Sequence, residues 1–271
     1  MRRPLNHLQP KRGFSLVELS IVLVILGLLV GGVLSGQLLI RAAELRSVST
    51  EYARYVTAVQ SFRDKYFAAP GDMNNATRFW GRMNANADCV TNSAAGVVAS
   101  GACDGNGSGV IDFAAAGQAA EFAQFWRHLA SAGLIEGTYS GLTGAGSGKH
   151  CVIGTDCPRG KMGNSGWGLE NAPNYVGDAF SFALDYTHTL IFGGSNPAYV
   201  PNSGILSPEE AWNIDTKLDD GKPAMGKVIG PFWNNTCSAA DDGSSANNDF
   251  AASYRLSDSA KRCSLYFRQI F

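Results

Sequence analysis

The stretch KRGFSLVELSIVLVILGLLVGG, Lys11 to Gly32, decides how this chain is organised. Two basic residues and a glycine precede an apolar run that extends from Phe14 to Ile40, and Glu18 is the only charged residue within that run. A run of this length is enough for a helix that crosses a bilayer with some tilt. We therefore predict a membrane helix over residues 14–40 that carries one carboxylate near its start.

The residues before the run indicate its orientation. Residues 1–13 contain four basic and no acidic side chains, and the positive-inside rule places such a flank in the cytoplasm and the rest of the chain outside it. An ordinary secretory signal has a shorter apolar core, followed by a small-residue cleavage site. Here the small residue, Gly13, precedes the core. A cut after Gly13 would remove the charges and keep the membrane helix.

The basic pair, the glycine, the phenylalanine, the glutamate at the fifth position from Phe14 and the charge-free helix resemble the class III signal of type IV pilins and type II secretion pseudopilins. The resemblance implies that a prepilin peptidase removes residues 1–13 by cutting between Gly13 and Phe14, and that Phe14 becomes N-methylated. It identifies Glu18 as the glutamate that acts in assembly. It also implies assembly with other pilin-like subunits on an inner-membrane platform, with the head in the periplasm before filament formation.

The helix is predicted to continue beyond the membrane, as an amphipathic segment over residues 41–69. Its apolar side chains recur every three or four residues, which is typical of one helix face: Leu45, Val48, Tyr52, Tyr55, Val59, Phe62 and Tyr66. Glu51 is assigned to the polar faces, and Pro70-Gly71 ends the helix at about Phe67. A coiled coil is the alternative, but the bulky aromatic side chains favour packing against a head domain.

Residues 70–271 are predicted to form that globular head. The patterns predict a short helix within residues 121–137, closed by Gly133, and a second helix within residues 206–221, with a capping box formed by Ser207 and Glu210 and with Pro208 at its first position. Alternating apolar residues predict one bent strand or two strands over residues 179–194, and further strands near residues 227–230 and 263–271. The fold class is therefore α+β and pilin-like, with a long N-terminal helix packed on a mainly antiparallel β head with short helices.

Six cysteines lie downstream of the apolar run, and no two are spaced as a CxxC pair. This spacing argues against a zinc ribbon. An even number of cysteines on one side of a membrane fits disulfides in an oxidising compartment. Proximity in the sequence predicts three pairs: Cys89–Cys103, Cys151–Cys157 and Cys237–Cys263.

The segment DGNGSGVID, residues 104–112, resembles part of a calcium loop. Oxygen ligands occupy alternate positions, with Val110 acting through its carbonyl group: Asp104, Asn106, Ser108, Val110 and Asp112. The twelfth position is Ala115, where an EF-hand has a bidentate glutamate, so Glu121 is the nearest carboxylate that could complete the loop. The same residue types form ordinary turns. A second acidic cluster, Asp215, Asp219 and Asp220, is interpreted as the end of a helix.

The sequence offers little support for catalysis. The segment GAGSGKH, residues 144–150, partly resembles a P-loop. The first glycine of that motif would fall at position 143, which is Thr143, and the Ser or Thr that follows the lysine is replaced by His150. The four histidines are scattered, and none belongs to a recognised catalytic motif. We therefore predict a protein that is not an enzyme and has no cofactor other than possible calcium.

The part of the chain after Gly13 has 18 basic and 23 acidic side chains and a net charge of −5, so nucleic acid is not an expected partner. The favoured function is a structural subunit of a type IV pilus or a type II secretion pseudopilus. The large head indicates a minor subunit. A membrane-anchored periplasmic enzyme or sensor and a DNA-uptake pilin with a binding head are the alternatives.

Overall fold

The computed structural model describes residues 13, 15–83, 101–113, 119–172, 180–231, 236–239 and 248–271. Phe14, Cys89 and Ala115 lie outside these described residues. The chain divides into two compact units, Met1–Ala43 and Glu44–Phe271. The division falls within the first helix.

Helix α1 extends over Leu16–Tyr66, which confirms the predicted long helix. Its apolar side chains from Leu16 to Ile40 are each more than half exposed. An exposed apolar surface of this extent indicates contact with lipid or with other helices. By length and composition, α1 is also the one helix of the described chain that could cross a membrane.

The second part of α1, from Glu44 onward, packs on the head. Val48, Val59 and Phe62 are completely buried. The ring of Tyr55 lies edge-on against Trp126 at 5.1 Å and against Trp167 at 5.4 Å. The predicted apolar stripe therefore forms part of the head's core, as expected, and does not form the seam of a coiled coil.

The head contains three short helices and two small sheets in the part of the chain that the structure describes. The helices are α2 (Thr77–Trp80), α3 (Glu121–Ser131) and α4 (Pro208–Leu218). The strands are β1 (Ser165–Ala172), β2 (Thr187–Gly194), β3 (Val228–Ile229), β4 (Ser238–Ala239), β5 (Ser253–Tyr254) and β6 (Leu265–Phe267). The larger sheet has the order β1-β2-β6-β3 and the smaller one pairs β4 with β5, and all these pairings are antiparallel. The architecture is α+β, as predicted.

Helix α4 forms where its local signals place it. The Glu210 N–H donates to Ser207 Oγ at 3.3 Å, and the Ser207 N–H donates to Glu210 Oε2 at 2.9 Å. Pro208 occupies the first turn, and Ala211 and Ile214 are buried. Both hydrogen bonds of the predicted capping box are therefore present.

The structure differs from the predicted strands at two places. Strand β1 was not predicted, because it contains Gly166 and Gly168, which have low β propensity. These glycines permit close packing: a Cβ atom at Gly166 would lie 2.6 Å from Ile153, and one at Gly168 would lie 2.7 Å from Val200. The strand predicted over residues 179–194 is wrong for residues 180–186, because Thr187 has a φ of 46° and interrupts the extended backbone.

Candidate functional site

The start of α1 places Glu18 against the backbone of the preceding residues. The Ser15 N–H donates to Glu18 Oε2 at 2.8 Å, and Glu18 lies in the first turn of the helix. A carboxylate here satisfies an N–H group that has no partner within the helix and interacts favourably with the helix dipole. In the uncut chain, Glu18 therefore stabilises the start of α1.

Gly13 is exposed, and a Cβ atom built on it would have no neighbour within 4 Å among the described residues. The packing of those residues therefore places no steric requirement for glycine at this position. A need for a small residue here would have to come from another molecule.

The loop of residues 104–112 directs backbone N–H groups at a buried carboxylate of α3. The Asn106 N–H donates to Glu121 Oε1 at 2.7 Å, and the Asp112 N–H donates to Glu121 Oε2 at 2.8 Å. Glu121 is 1% exposed. Burial raises the pKa of Glu121 to about 7, although these two hydrogen bonds act in the opposite direction.

A second carboxylate, Asp72, holds the middle of the same loop. Its oxygens accept hydrogen bonds from the Ser108 N–H at 3.0 Å and the Gly109 N–H at 2.8 Å. The Ile111 N–H donates to His188 Nε2 at 3.2 Å, and burial lowers the pKa of His188 and so favours the neutral form that accepts this bond. Glu121, Asp72 and His188 therefore bind five N–H groups of one short loop.

The structure places the predicted calcium ligands as follows. Asn106 donates from Nδ2 to Asp112 Oδ2 at 2.9 Å, and Ser108 Oγ donates to the Val110 carbonyl oxygen at 3.2 Å. Asp104 instead accepts hydrogen bonds from Thr77, at the start of α2. A calcium loop directs oxygen atoms inward, whereas this loop directs N–H groups at carboxylates. Calcium binding stays a prediction.

Asp104 has a structural partner at the start of α2. Its Oδ1 accepts from the Thr77 N–H at 2.7 Å, and its Oδ2 accepts from Thr77 Oγ1 at 2.9 Å. Asp104→Ala should therefore lower the free energy of unfolding by about 1 kcal/mol in EDTA, as the loss of a helix cap does. If the loop also binds calcium, calcium should raise the melting temperature of the wild-type chain, and Asp104→Ala should abolish that rise.

Thr77→Val is the matched control, because it removes one of the same hydrogen bonds but no loop oxygen. It should weaken the fold and keep any calcium response. Equal wild-type melting temperatures in calcium and in EDTA would contradict the calcium prediction. Unchanged stability of Asp104→Ala in EDTA would contradict the capping role.

The second acidic cluster, Asp215, Asp219 and Asp220, has carboxylate oxygens within 4.8 Å of one another. Asp215 accepts hydrogen bonds from the Tyr254 hydroxyl at 2.9 Å and the Gly221 N–H at 3.2 Å, and burial raises its pKa to about 7. Asp219 accepts from the Val228 N–H at 3.0 Å. These bonds connect the end of α4 to β5 and β3, which agrees with the interpretation of the cluster as a helix end.

Two disulfides have both of their cysteines within the described residues of the head. The structure joins Cys151 to Cys157, with a Cα–Cα distance of 6.0 Å, and Cys237 to Cys263, with a distance of 5.0 Å. Both are pairs of sequence neighbours. Cys103 is also disulfide-bonded, and its predicted partner Cys89 lies outside the described residues.

Lys149, the lysine of the segment GAGSGKH, makes three contacts within the head. Lys149 Nζ lies 2.8 Å from Glu170 Oε1, 3.1 Å from the Tyr199 hydroxyl and 4.6 Å from the centre of the Phe113 ring. Glu170 is buried. Lys149 therefore compensates a buried carboxylate, in agreement with the rejection of a P-loop.

Glu51 is a buried residue that the sequence analysis wrongly assigned to an exposed face of α1. It is 3% exposed, although it was assigned to a polar face of the helix. Its Oε2 accepts from Trp167 Nε1 at 2.8 Å, and its Oε1 accepts from the Lys161 N–H at 3.0 Å. Its position, three residues after Val48 and four before Tyr55, was the available signal that it shares the buried face.

The comparisons with known proteins agree with the geometry at the N-terminus. Residues 8–34 match the family model described as the prokaryotic N-terminal methylation motif. No curated protein and no solved structure matches the chain.

The matched segment contains Gly13, Phe14 and Glu18. The chain thus carries the class III prepilin signal of type IV pilins and pseudopilins. The long apolar helix and the antiparallel head match an α+β, pilin-like fold, and the signal supports processing by prepilin peptidase.

Proposed function

We propose that this chain is a structural subunit of a type IV pilus or a type II secretion pseudopilus. The observation that carries the proposal is the methylation motif at residues 8–34, which includes the first part of an exposed apolar helix. The chain is stored in the inner membrane and then moves into a filament. Its large head favours a minor subunit.

The proposed cut between Gly13 and Phe14 changes the charge at the start of the helix. It removes the four basic side chains of the leader and creates an amine at Phe14, which methylation leaves positively charged. Glu18, in the first turn of α1, is then close to that amine along the chain. In the apolar core of a filament, both charges need partners because burying an unpaired charge is strongly unfavourable.

The same charges can fix the position of one subunit relative to the next. When subunits are offset along the filament axis, the Phe14 amine of one copy can pair with Glu18 of its neighbour. The pairing neutralises both groups and selects one offset. Glu18 is therefore the proposed assembly residue, and Phe14 is the proposed methylated residue.

The head supports a location outside the cytoplasm. Its two described disulfides, Cys151–Cys157 and Cys237–Cys263, are of the kind that persists in oxidising compartments. The proposed topology places the leader in the cytoplasm, residues 14–40 in the membrane and the head in the periplasm. This order agrees with the positive-inside rule.

The proposal is tested by the N-terminus of the mature protein. In membranes that contain prepilin peptidase, mass spectrometry should show a chain that begins with N-methylated Phe14. Gly13→Leu should block the cut by placing a large side chain at the cleavage position, whereas Gly13→Ala, which adds only one methyl group, should still be cut. A wild-type chain that keeps its Met1 start in such membranes would contradict the proposal.

A further inference from the structure

Asn106 and Gly107, in the middle of the loop of residues 104–112, form the only Asn-Gly pair in the sequence. Both residues are exposed. The backbone nitrogen that follows an asparagine can attack its side-chain carbonyl carbon, and glycine hinders this attack least because it has no Cβ atom. Gly107 has a φ of 71°, which glycine adopts without strain. The pair therefore has the composition and the accessibility of a site for spontaneous deamidation.

This reaction needs water and no other reagent. The Gly107 nitrogen gives up its proton and bonds to Asn106 Cγ, and Nδ2 leaves as ammonia, so that a succinimide ring forms. Water then opens the ring at one of its two carbonyl carbons. The product is aspartate, or isoaspartate in which the chain continues through Cγ. In both cases a neutral amide becomes a carboxylate, which accepts hydrogen bonds but no longer donates them.

In the structure, hydrogen bonds hold each of the reacting groups. The Gly107 N–H donates to the Asp72 carbonyl oxygen at 3.1 Å. Asn106 Oδ1 accepts from the Ser108 N–H at 2.7 Å, and Asn106 Nδ2 donates to Asp112 Oδ2 at 2.9 Å. The attacking nitrogen is engaged with another acceptor, and the amide that it would attack is fixed at both of its polar atoms. The closed loop therefore opposes the reaction.

The loop is also anchored on both sides of the pair. The Asn106 N–H donates to Glu121 Oε1, and the Gly109 N–H donates to Asp72 Oδ2. Exposed loops open locally at a lower free energy than the whole domain unfolds. When this loop opens, the attacking nitrogen and the side-chain amide are released together.

We infer that Asn106 is a deamidation site whose reaction is controlled by the opening of the loop of residues 104–112. The site does not depend on the proposed function, but one consequence rests on it: filament subunits outside the cell accumulate the modification with age. The modified loop is weaker, because a carboxylate at position 106 cannot donate to Asp112 and instead places two like charges side by side.

Mass spectrometry of the full-length chain in detergent micelles tests the site. After incubation at mildly alkaline pH, which favours loss of the Gly107 proton, the peptide that contains Asn106 should gain the mass difference between aspartate and asparagine. Asn164 is the internal control, because it is also exposed but is followed by Ser165, whose side chain hinders the attack. Absence of the mass change at Asn106, even in denaturant, would overturn the site.

The reaction rate tests the control by the loop. The chain unfolded in guanidinium chloride should react at least about tenfold faster than the folded chain, because the hydrogen bonds of the pair no longer oppose the attack. Asp112→Ala removes the acceptor of Nδ2 and should accelerate the reaction of the folded chain roughly fivefold, as expected for one net hydrogen bond. Asp112→Asn keeps an acceptor oxygen and should react nearly as the wild type does. Equal rates in the folded and unfolded chains, or a slower reaction of Asp112→Ala, would show that the loop exerts no such control.

Asn106→Asp supplies the product directly. Its melting temperature in EDTA should lie below that of the wild-type chain, whereas Asn164→Asp, which adds the same charge at another exposed position, should melt like the wild type. Equal melting temperatures for Asn106→Asp and the wild type would contradict the weakening of the loop.

Sheared filaments from young and old cultures test the consequence for the subunit. Asn106 should be modified to a greater extent in the old filaments, and equal extents would overturn the accumulation with age. If the cut chain enters no filament, the proposed function fails, and the result for the purified chain still decides whether Asn106 is a deamidation site.

Discussion

Replacing Glu18 with valine is expected to give a chain that is inserted, cut and stable in membranes, yet absent from filaments. A charged side chain at the centre of a membrane helix costs about 2.5–3.5 kcal/mol on insertion scales, so a carboxylate in this run needs an explanation. Its hydrogen bond from the Ser15 N–H is one explanation. That contact alone contributes a few tenths to about 1 kcal/mol to the helix, which is too little to abolish assembly.

The glutamine variant distinguishes the two roles of Glu18. Glu18→Gln keeps an oxygen that can accept from the Ser15 N–H but removes the charge that would pair with the amine of a neighbour. Both Glu18→Val and Glu18→Gln should therefore be excluded from filaments. The measurements are the level in membranes, the Phe14 start by mass spectrometry and the amount in sheared filaments. Normal incorporation of the processed valine variant would contradict the assembly role.

Replacing Glu51 with alanine is expected to lower the free energy of unfolding of the head by about 2–5 kcal/mol. The carboxylate accepts hydrogen bonds from Trp167 Nε1 and the Lys161 N–H in a buried position. Each buried donor left without a partner costs about 1–3 kcal/mol, and the removed side chain also leaves a cavity. Glu51→Gln keeps one acceptor and should have a smaller effect.

The loss of stability in Glu51→Ala can be measured by the fluorescence of Trp167, which is completely buried in the folded head. Denaturant unfolding of the full-length chain in detergent micelles, monitored by tryptophan fluorescence, gives the stability of each variant. Glu136→Ala removes an exposed carboxylate and should change stability by less than about 0.5 kcal/mol. A loss below about 1 kcal/mol for Glu51→Ala would contradict the role assigned to this residue.

The elements with local signals could be predicted from the sequence. The apolar run and stripe predict α1, and Ser207, Pro208 and Glu210 mark the start of α4 within a few residues of chain. The N-terminal site is predictable for the same reason: Gly13, Phe14 and Glu18 lie within six consecutive residues, and a linear motif does not depend on the fold.

The elements that depend on distant contacts could not be predicted. Strand β1 is stabilised by its pairing with β2 and by close packing at Gly166 and Gly168, and neither can be recognised from local composition. The spacing of Glu51 from Val48 and Tyr55 indicates the buried face, but its hydrogen-bond partner Trp167 lies far away in the sequence and cannot be recognised from local residues.

For the loop of residues 104–112, the sequence pattern predicted which residues carry oxygen atoms but did not predict their contacts. The spacing of its oxygen-bearing side chains was visible in the sequence. The direction of its N–H groups was not, because it is set by Glu121 on α3 and by Asp72 after α1.

The disulfide between Cys237 and Cys263 has a consequence for resistance to proteolysis. Cys263 lies two residues before β6, which is paired on both sides in the larger sheet, with β2 and β3. A single peptide-bond cut anywhere between the two cysteines would leave both fragments covalently joined. A head exposed to extracellular proteases could therefore be nicked there and still keep β6 attached to the rest of the subunit.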